Sequence, residues 1–207
     1  LPALRNPVLL AHQAATVDQI SEGRLILGVG IAGDIPNIRA EFAAAGVPFE
    51  KRVGRMMEGL RLCRALWSGE AVDWDGRWPV EQGVLAPTPH RPGGPPIWGG
   101  GSHPDGLARA GKFMDGWFPT GPDASGWADH WAQVQAAANA AGRDPADIGM
   151  EAGVAVVGPR EHEWKSRVAG WRDMGLTHIC LRTLGGDLPP GQHIERMRQA
   201  VAELPSI

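Results

Sequence analysis

The chain is poor in residue types that whole classes of function require. Among its 207 residues are two cysteines, three lysines and no tyrosine. Cys63 and Cys180 lie far apart and no C-x-x-C occurs, which argues against a disulfide framework and a cysteine-based metal site. Cys63 falls in a helical pattern and Cys180 in an apolar strand pattern. We therefore predict that both thiols are core residues of a reduced, cytoplasmic protein.

Patterns typical of metal, membrane and nucleic-acid binding are also missing. The seven histidines form no metal-ligand spacing, and His162-Glu163 begins no H-E-x-x-H motif, so we predict no bound metal. No apolar run approaches 18 residues, so we predict no membrane span. The net charge of −3 argues against a nucleic-acid or anionic membrane surface. The lysines, at positions 51, 112 and 165, lie in or beside predicted helices, which argues against a Schiff-base lysine.

Strand and helix patterns alternate along the chain. A first helix is predicted from the Asn6-Pro7 cap to about Ile20, and five strands follow, each with a helix after it. The predicted strands are 24–30, a short run at Ile97, 115–118, 151–157 and 178–182, and the predicted helices are 49–67, 104–110, 125–141, 161–174 and 191–204. Residues 72–78 read as an inserted hairpin with Asp75-Gly76 as its two-residue turn.

This alternation predicts a single α/β domain, residues 1–207, with a parallel sheet. The two candidate architectures are an open doubly wound sheet and a (β/α)8 barrel. A complete barrel has about 31 residues per unit. Five units and a leading helix fit the present length.

The strongest candidate site is the run Gly99, Gly100, Gly101 and Ser102, between the strand at Ile97 and a helix start at Pro104. Glycines allow a ligand to approach the backbone, and a helix start adds free N–H donors, so the run suits a phosphate. A merely flexible turn is the alternative. Ser102 is expected to donate to the phosphate or to cap the helix, and His103 is expected to cap it rather than to act on substrate.

Other candidates lie at the ends of the predicted strands. Gly30 and Asp34 follow the first strand, where Asp34 could face a ring or substrate or be a solvated loop acid. Trp98, Trp117 and Phe118 could wall a flat ring, although core packing is expected for at least two of them. Arg182 ends the last strand and could bind a phosphate or a carboxylate, or form a surface ion pair.

Several fragments, taken in order, resemble the bacterial luciferase-like monooxygenase family. They are Leu10–Asp18, Gly23–Gly30, Gly46–Phe49, Pro95–Ser102 and Asp115–Pro119. Gly142-Arg143-Asp144-Pro145 resembles the deazaflavin-dependent branch of that family. The resemblance runs from Leu1 to the last predicted helix.

This resemblance implies a partial TIM barrel of the (β/α)8 type, with residues 24–30 as strand 4, Ile97–Gly99 as strand 5 and the later strands as 6 to 8. It implies that FMN or a deazaflavin (coenzyme F-420) binds through Gly99, Gly100, Gly101 and Ser102, with Gly30 and Asp34 nearby. The implied activity is a flavin- or deazaflavin-dependent oxidoreductase or monooxygenase acting on a small organic substrate, with a homodimer as the candidate assembly. No catalytic acid or base is assigned. The alternatives are a non-catalytic truncated barrel or partner subunit, a fragment of the full-length enzyme, and an unrelated barrel enzyme with the same phosphate turn.

Overall fold

The computed structural model describes residues 1–119 and 123–204, which form two compact units, Leu1–Ile97 and Trp98–Ile207. The first unit contains α1 (Pro7–Ile20), β1 (Leu27–Val29), α2 (Pro36–Ala44), α3 (Arg52–Leu66), β2 (Val72–Trp74) and β3 (Val80–Gly83). Strand β4 (Ile97–Gly100) begins at the boundary. The second unit continues with α4 (Pro104–Phe113), β5 (Gly116–Phe118), α5 (Ala128–Ala140), β6 (Gly149–Ala155), α6 (Trp164–Asp173), β7 (His178–Arg182) and α7 (His193–Glu203). One domain over residues 1–207 stays a prediction.

The first helix begins as the sequence predicts. The side-chain oxygen of Asn6 accepts hydrogen bonds from the amides of Val8 and Leu9, and Pro7 occupies the first helical position. This capping satisfies donors that have no partner inside the helix. Gly23 follows the helix with a φ of +76°, a conformation that favours glycine.

Helices α1 and α3 form the core of the first unit. The Trp67 indole nitrogen donates to the carbonyl of Ala11 at 3.0 Å, and the Cys63 thiol lies 3.3 Å from the carbonyl oxygen of Pro7. Burial raises the pKa of the Cys63 thiol to about 12, so this thiol stays protonated. The prediction that Cys63 is a core residue is confirmed.

The inserted hairpin has a longer connection than the sequence suggests. Strands β2 and β3 are antiparallel, but residues 75–79 join them, so the two-residue Asp75-Gly76 turn is wrong. The amide of Arg77 donates to Glu58 on α3 at 2.7 Å. The Arg55 guanidinium lies 4.7 Å from the centroid of the Trp78 ring. Residues 77 and 78 therefore dock on α3 instead of continuing the strand.

Strands β4 to β7 of the second unit lie side by side in chain order and run parallel. The register pairs Trp98 with Gly116, Gly116 with Gly149, and Glu151 with His178. In the first unit, the Leu27 amide at the start of β1 donates to the carbonyl of Pro96, just before β4, at 2.8 Å. The predicted α/β class with a parallel sheet is confirmed.

Several predicted boundaries are wrong. The strand predicted for residues 24–30 is limited to β1, and the Arg24 side chain instead donates to the carbonyl of Ser21. The helix predicted from Ser125 begins at Ala128, with Trp127 at its cap position. Cys180 is exposed, not part of the core, because alternate residues of β7 face solvent. Within the described residues, no helix combines the length and the apolarity that a membrane crossing requires.

Candidate functional site

The glycine run turns only at its third glycine. Gly99 and Gly100 continue strand β4, and Gly101 has a φ of +107°. A Cβ on Gly99 would lie 3.2 Å from Met114, and a Cβ on Gly100 would lie 2.1 Å from the Phe118 ring. The first two glycines therefore allow close packing on the two faces of the sheet. The strand predicted for Ile97–Gly99 thus extends by one residue, to Gly100, and the turn conformation belongs to Gly101.

An indole group anchors this turn. The Nε1 atom of Trp117 donates to the carbonyl of Gly101 at 3.0 Å. Trp117 is 1% exposed and stacks on Trp131, with ring centroids 6.0 Å apart and planes 9° apart. This hydrogen bond occupies the carbonyl oxygen of Gly101. The polar groups between Gly101 and helix α4 therefore offer mainly hydrogen-bond donors to a ligand.

Helix α4 is capped by His103 and not by Ser102. The Nδ1 atom of His103 accepts from the amide of Asp105 at 3.3 Å, and its carbonyl accepts from the amides of Gly106 and Leu107. The prediction that His103 caps the helix is confirmed, and the capping alternative for Ser102 is wrong. Ser102 is exposed, and neither its amide nor its hydroxyl hydrogen-bonds to any described residue. Two free donors therefore stand beside a helix N-terminus.

The second candidate loop lies in the first unit. Asp34 accepts from Arg39 through both carboxylate oxygens, at 2.6 Å and 2.8 Å. This hydrogen bonding from Arg39 lowers the pKa of the Asp34 carboxyl from its ordinary value. Arg39 also donates to Glu50 and lies over the Phe49 ring. Gly30 is exposed, with no atom within 4 Å of the position a Cβ would take. This loop belongs to the first unit, whereas the glycine turn belongs to the second.

Trp98 lies across glycines of the two following strands. A Cβ on Gly116 would lie 2.2 Å from the Trp98 ring, and one on Gly149 would lie 2.5 Å from it. The same ring meets His178 edge-to-face, with centroids 4.8 Å apart. Trp98 and Trp117 are both buried, as core packing predicts, and Phe118 is half-buried.

One ionic network near the strand ends could not be read from the sequence. Asp123 accepts from Arg160 at 3.0 Å and 3.1 Å and from Arg167 at 3.1 Å. Hydrogen bonding from Arg160, aided by the charges of both arginines, lowers the pKa of the Asp123 carboxyl. The network ties the segment after β5 to the segment after β6. Its partners are 37 and 44 residues apart, and no local pattern signals such a pairing.

Arg182 forms no surface ion pair with a described residue, so that alternative has no support in the structure. The part of the chain that is described also holds no group of three or more His, Cys, Asp or Glu residues placed to bind a metal ion.

Two mycobacterial proteins are similar to this chain over most of its length. One is the phthiodiolone/phenolphthiodiolone dimycocerosates ketoreductase of Mycobacterium sp. (strain JLS), 34% identical over 148 residues, or 70% of this chain and 38% of the relative. The other is the F420-dependent hydroxymycolic acid dehydrogenase of Mycobacterium tuberculosis, 35% identical over 155 residues, or 74% of this chain and 42% of the relative. The matched part of this chain thus spans less than half the length of these relatives.

Solved structures share the fold at lower sequence identity. The monooxygenase RslO1 from Streptomyces bottropensis superposes with a TM-score of 0.74 and 23% identity, covering 98% of this chain and 74% of that one. An F420-dependent secondary alcohol dehydrogenase superposes with a TM-score of 0.76 and 18% identity, covering 97% of this chain and 76% of that one. The sequence model of one family, the luciferase-like monooxygenases, matches residues 1–203. On this match and the shared fold, the chain belongs to the luciferase-like monooxygenase family.

Proposed function

We propose that this chain is the C-terminal portion of the barrel of a flavin- or deazaflavin-dependent oxidoreductase, of the monooxygenase type, that acts on a small organic substrate. In this proposal β1 is strand 4 of a (β/α)8 barrel, and β4 to β7 are strands 5 to 8. The parallel order of β4 to β7 supports this assignment. The chain covers only about three quarters of the solved structures that share its fold, which also supports the assignment.

The observation that carries the proposal is the pair of donors on Ser102, beside the turn at Gly101, that have no partner in the described part of the chain. A phosphate has only acceptor oxygens at neutral pH, and it fits donors at the start of a helix. The Trp117 indole donates to the Gly101 carbonyl oxygen, so this oxygen is not a free acceptor that would repel a bound anion. Gly101, Ser102 and the first turn of α4 would hold the phosphate of the cofactor.

The bound cofactor would supply hydride transfer, and FMN in addition supplies chemistry with oxygen. The residues of this chain would hold the phosphate and keep the turn in shape. We assign none of them as a catalytic acid or base.

A deazaflavin is the favoured cofactor, with FMN as the alternative. Relatives whose names specify F420 dependence support the deazaflavin. The stretch Gly142–Pro145 adds little to this choice, because its side chains serve packing. Arg143 donates to the carbonyl of Gly111 at 2.6 Å, and Asp144 caps the short 3-10 helix that follows it.

Gly30 and Asp34, in the first unit, stay candidate cofactor-binding residues on the family resemblance. Gly30 leaves open space at its Cα, which suits a close approach of the backbone to a ligand. Arg39 already uses both carboxylate oxygens of Asp34. A cofactor hydroxyl would therefore have to donate to the remaining lone pairs of those oxygens.

Fluorescence titration of the purified chain with FMN, and separately with the deazaflavin, tests the proposal. We expect saturable binding of at least one of them, and tighter binding of the deazaflavin. Folding is checked on the same sample by circular dichroism. A folded chain that binds neither cofactor at high micromolar concentration would overturn the proposal and favour a non-catalytic truncated barrel or partner subunit.

A further inference from the structure

The guanidinium of Arg182 occupies space that only a glycine leaves open. A Cβ on Gly153, in the neighbouring strand β6, would lie 2.0 Å from Nη2, 2.1 Å from Cζ and 2.3 Å from Nε of Arg182. The three distances are nearly equal, so the guanidinium lies across Gly153 and does not point past it. Any larger residue at position 153 would displace this group.

The backbone beneath this side chain is fixed at the end of the sheet. Arg182 is the last residue of β7 and pairs with Ala155 of β6. Its carbonyl accepts from the amide of Val156 at 2.9 Å, and the carbonyl of Val156 accepts from Arg196 at 3.0 Å. The Arg182 backbone is therefore held at the carboxyl end of the parallel strands, where ligands of α/β sheets bind, and its guanidinium reaches back along β6 to lie over Gly153.

The positive charge of Arg182 has no partner among the described residues. No described carboxylate oxygen lies within 4.0 Å of it, and its side chain makes no hydrogen bond there. Glu151, two residues before Gly153 on β6, forms no ion pair with a described residue either. Arg39, Arg160 and Arg167, by contrast, each pair with a carboxylate. Arg182 is also exposed, so an incoming anion can reach it.

We propose that Arg182, seated on Gly153, binds a carboxylate or phosphate group of the substrate. A guanidinium presents a planar fork of donors that matches either oxyanion in a bidentate manner. The Arg182 guanidinium lies over β6, which is two strand spacings from β4, roughly 10 Å along the sheet. One phosphate cannot reach both the glycine turn and Arg182, so this is a second anion site. The assignment to a substrate rests on the proposed function, whereas anion binding itself does not.

Side-chain NMR of the uniformly ¹⁵N-labelled chain, without cofactor, tests the site directly. The Nε–H signal of Arg182 is assigned by its loss in Arg182→Lys, and inorganic phosphate and acetate are titrated in at constant ionic strength. We expect this signal to shift saturably with both anions. An unchanged signal, or a linear shift equal to that of exposed Arg172 on α6, would overturn the proposal.

The variant Gly153→Ala tests whether anion binding depends on the position of the Arg182 guanidinium over Gly153 or only on its exposed positive charge. It keeps the arginine but fills the space under the guanidinium, so we expect anion affinity to fall about tenfold, or roughly 1.4 kcal/mol. Arg172→Gln, the matched control, should bind as the parent does. Unchanged affinity in a folded Gly153→Ala variant would overturn the proposal. If that variant does not fold, the anion affinity of Arg182→Lys, measured from its backbone amide resonances, decides instead. A lysine keeps the positive charge without the planar fork of donors, so Arg182→Lys should bind the anion less tightly than the parent, and equal affinity would overturn the proposal.

A last experiment tests whether the anion that Arg182 binds belongs to the substrate or to the cofactor. The phosphate titration of Arg182 is repeated with saturating FMN or deazaflavin. A persisting Arg182 response supports a substrate subsite, and a response abolished by the cofactor would assign Arg182 to a cofactor anion and overturn the substrate assignment. Failure of the cofactor to bind at all would count against the proposed function, while the cofactor-free titration still decides the anion site.

Discussion

The indole nitrogen of Trp117 donates a hydrogen bond to the carbonyl oxygen of Gly101 at 3.0 Å. Trp117 is on β5, and Gly101 is the first residue after the neighbouring strand β4. This bond fixes the orientation of the peptide plane from which the proposed phosphate site begins. The site is thus held in place by a strand other than the one that carries it.

Trp117→Phe should weaken cofactor binding without changing the fold. The substitution removes the N–H donor and keeps most of the aromatic area. A neutral hydrogen bond contributes about 1 kcal/mol, so the Kd measured by fluorescence titration should rise about fivefold. Trp131→Phe disturbs the same ring stack but keeps the bond to Gly101, and it should bind as the parent does. Equal losses in the two variants would show that the hydrogen bond has no such role.

Gly111→Ala should destabilise the second unit. A Cβ on Gly111 would lie 2.2 Å from the carbonyl oxygen of Val134, so α4 and α5 would have to move apart. Overpacking of this kind costs about 1–3 kcal/mol, measurable by urea unfolding. Gly106→Ala, in the same helix, meets only the end of Arg109 at 3.8 Å. It should be neutral or stabilising by up to about 1 kcal/mol. A Gly111→Ala variant as stable as Gly106→Ala would contradict the described packing.

The Asp123 network should make stability depend on pH in the acidic range. The folded state lowers the pKa of Asp123, so its contribution is complete above the ordinary carboxyl pKa and is lost as the pH falls through the lowered value. Asp123→Asn should therefore be less stable than the parent above about pH 4, and the difference should shrink below it. Asp173→Asn, at an exposed position of α6, is the control and should show no such difference. Parallel stability curves for parent and Asp123→Asn would contradict the network.

The two thiols should react differently in the native protein. Cys180 is exposed on β7, whereas burial raises the pKa of Cys63 to about 12. Alkylation by iodoacetamide, followed by peptide mass spectrometry, should modify Cys180 well before Cys63. Urea should abolish the difference by exposing both thiols. Equal labelling rates under native conditions would contradict the burial of Cys63.

Local signals in the sequence predicted the elements, and contacts between elements decided what the sequence could not. The Asn6-Pro7 cap and the strand at residues 178–182 depend on neighbouring residues, and both are confirmed. The hairpin turn was wrong because residues 77 and 78 dock on α3, which is distant in sequence.

The same distinction holds at the candidate site. The run of glycines is visible in the sequence, but its division into two strand residues and one turn residue depends on Met114 and Phe118. The seat of Arg182 on Gly153 joins residues from two strands, and no periodicity within either strand indicates it.

A substitution of Ser102 tests the phosphate site more cleanly than a substitution of any glycine in the turn does. A side chain at position 100 would collide with Phe118, so a charge placed there would disturb the sheet as well as the ligand. Ser102 is exposed and has no hydrogen-bond partner among the described residues, so it can be replaced without loss of packing.

The decisive measurement is the Kd of the cofactor, FMN or the deazaflavin, for Ser102→Asp and for Ser102→Asn, which differ in charge and hardly in shape. A carboxylate within about 4 Å of a phosphate near a protein surface costs about 1–4 kcal/mol. The Asp variant should therefore bind at least about fivefold more weakly than the Asn variant, with both folded by circular dichroism. Equal cofactor affinity of the two folded variants would contradict a phosphate site at this turn.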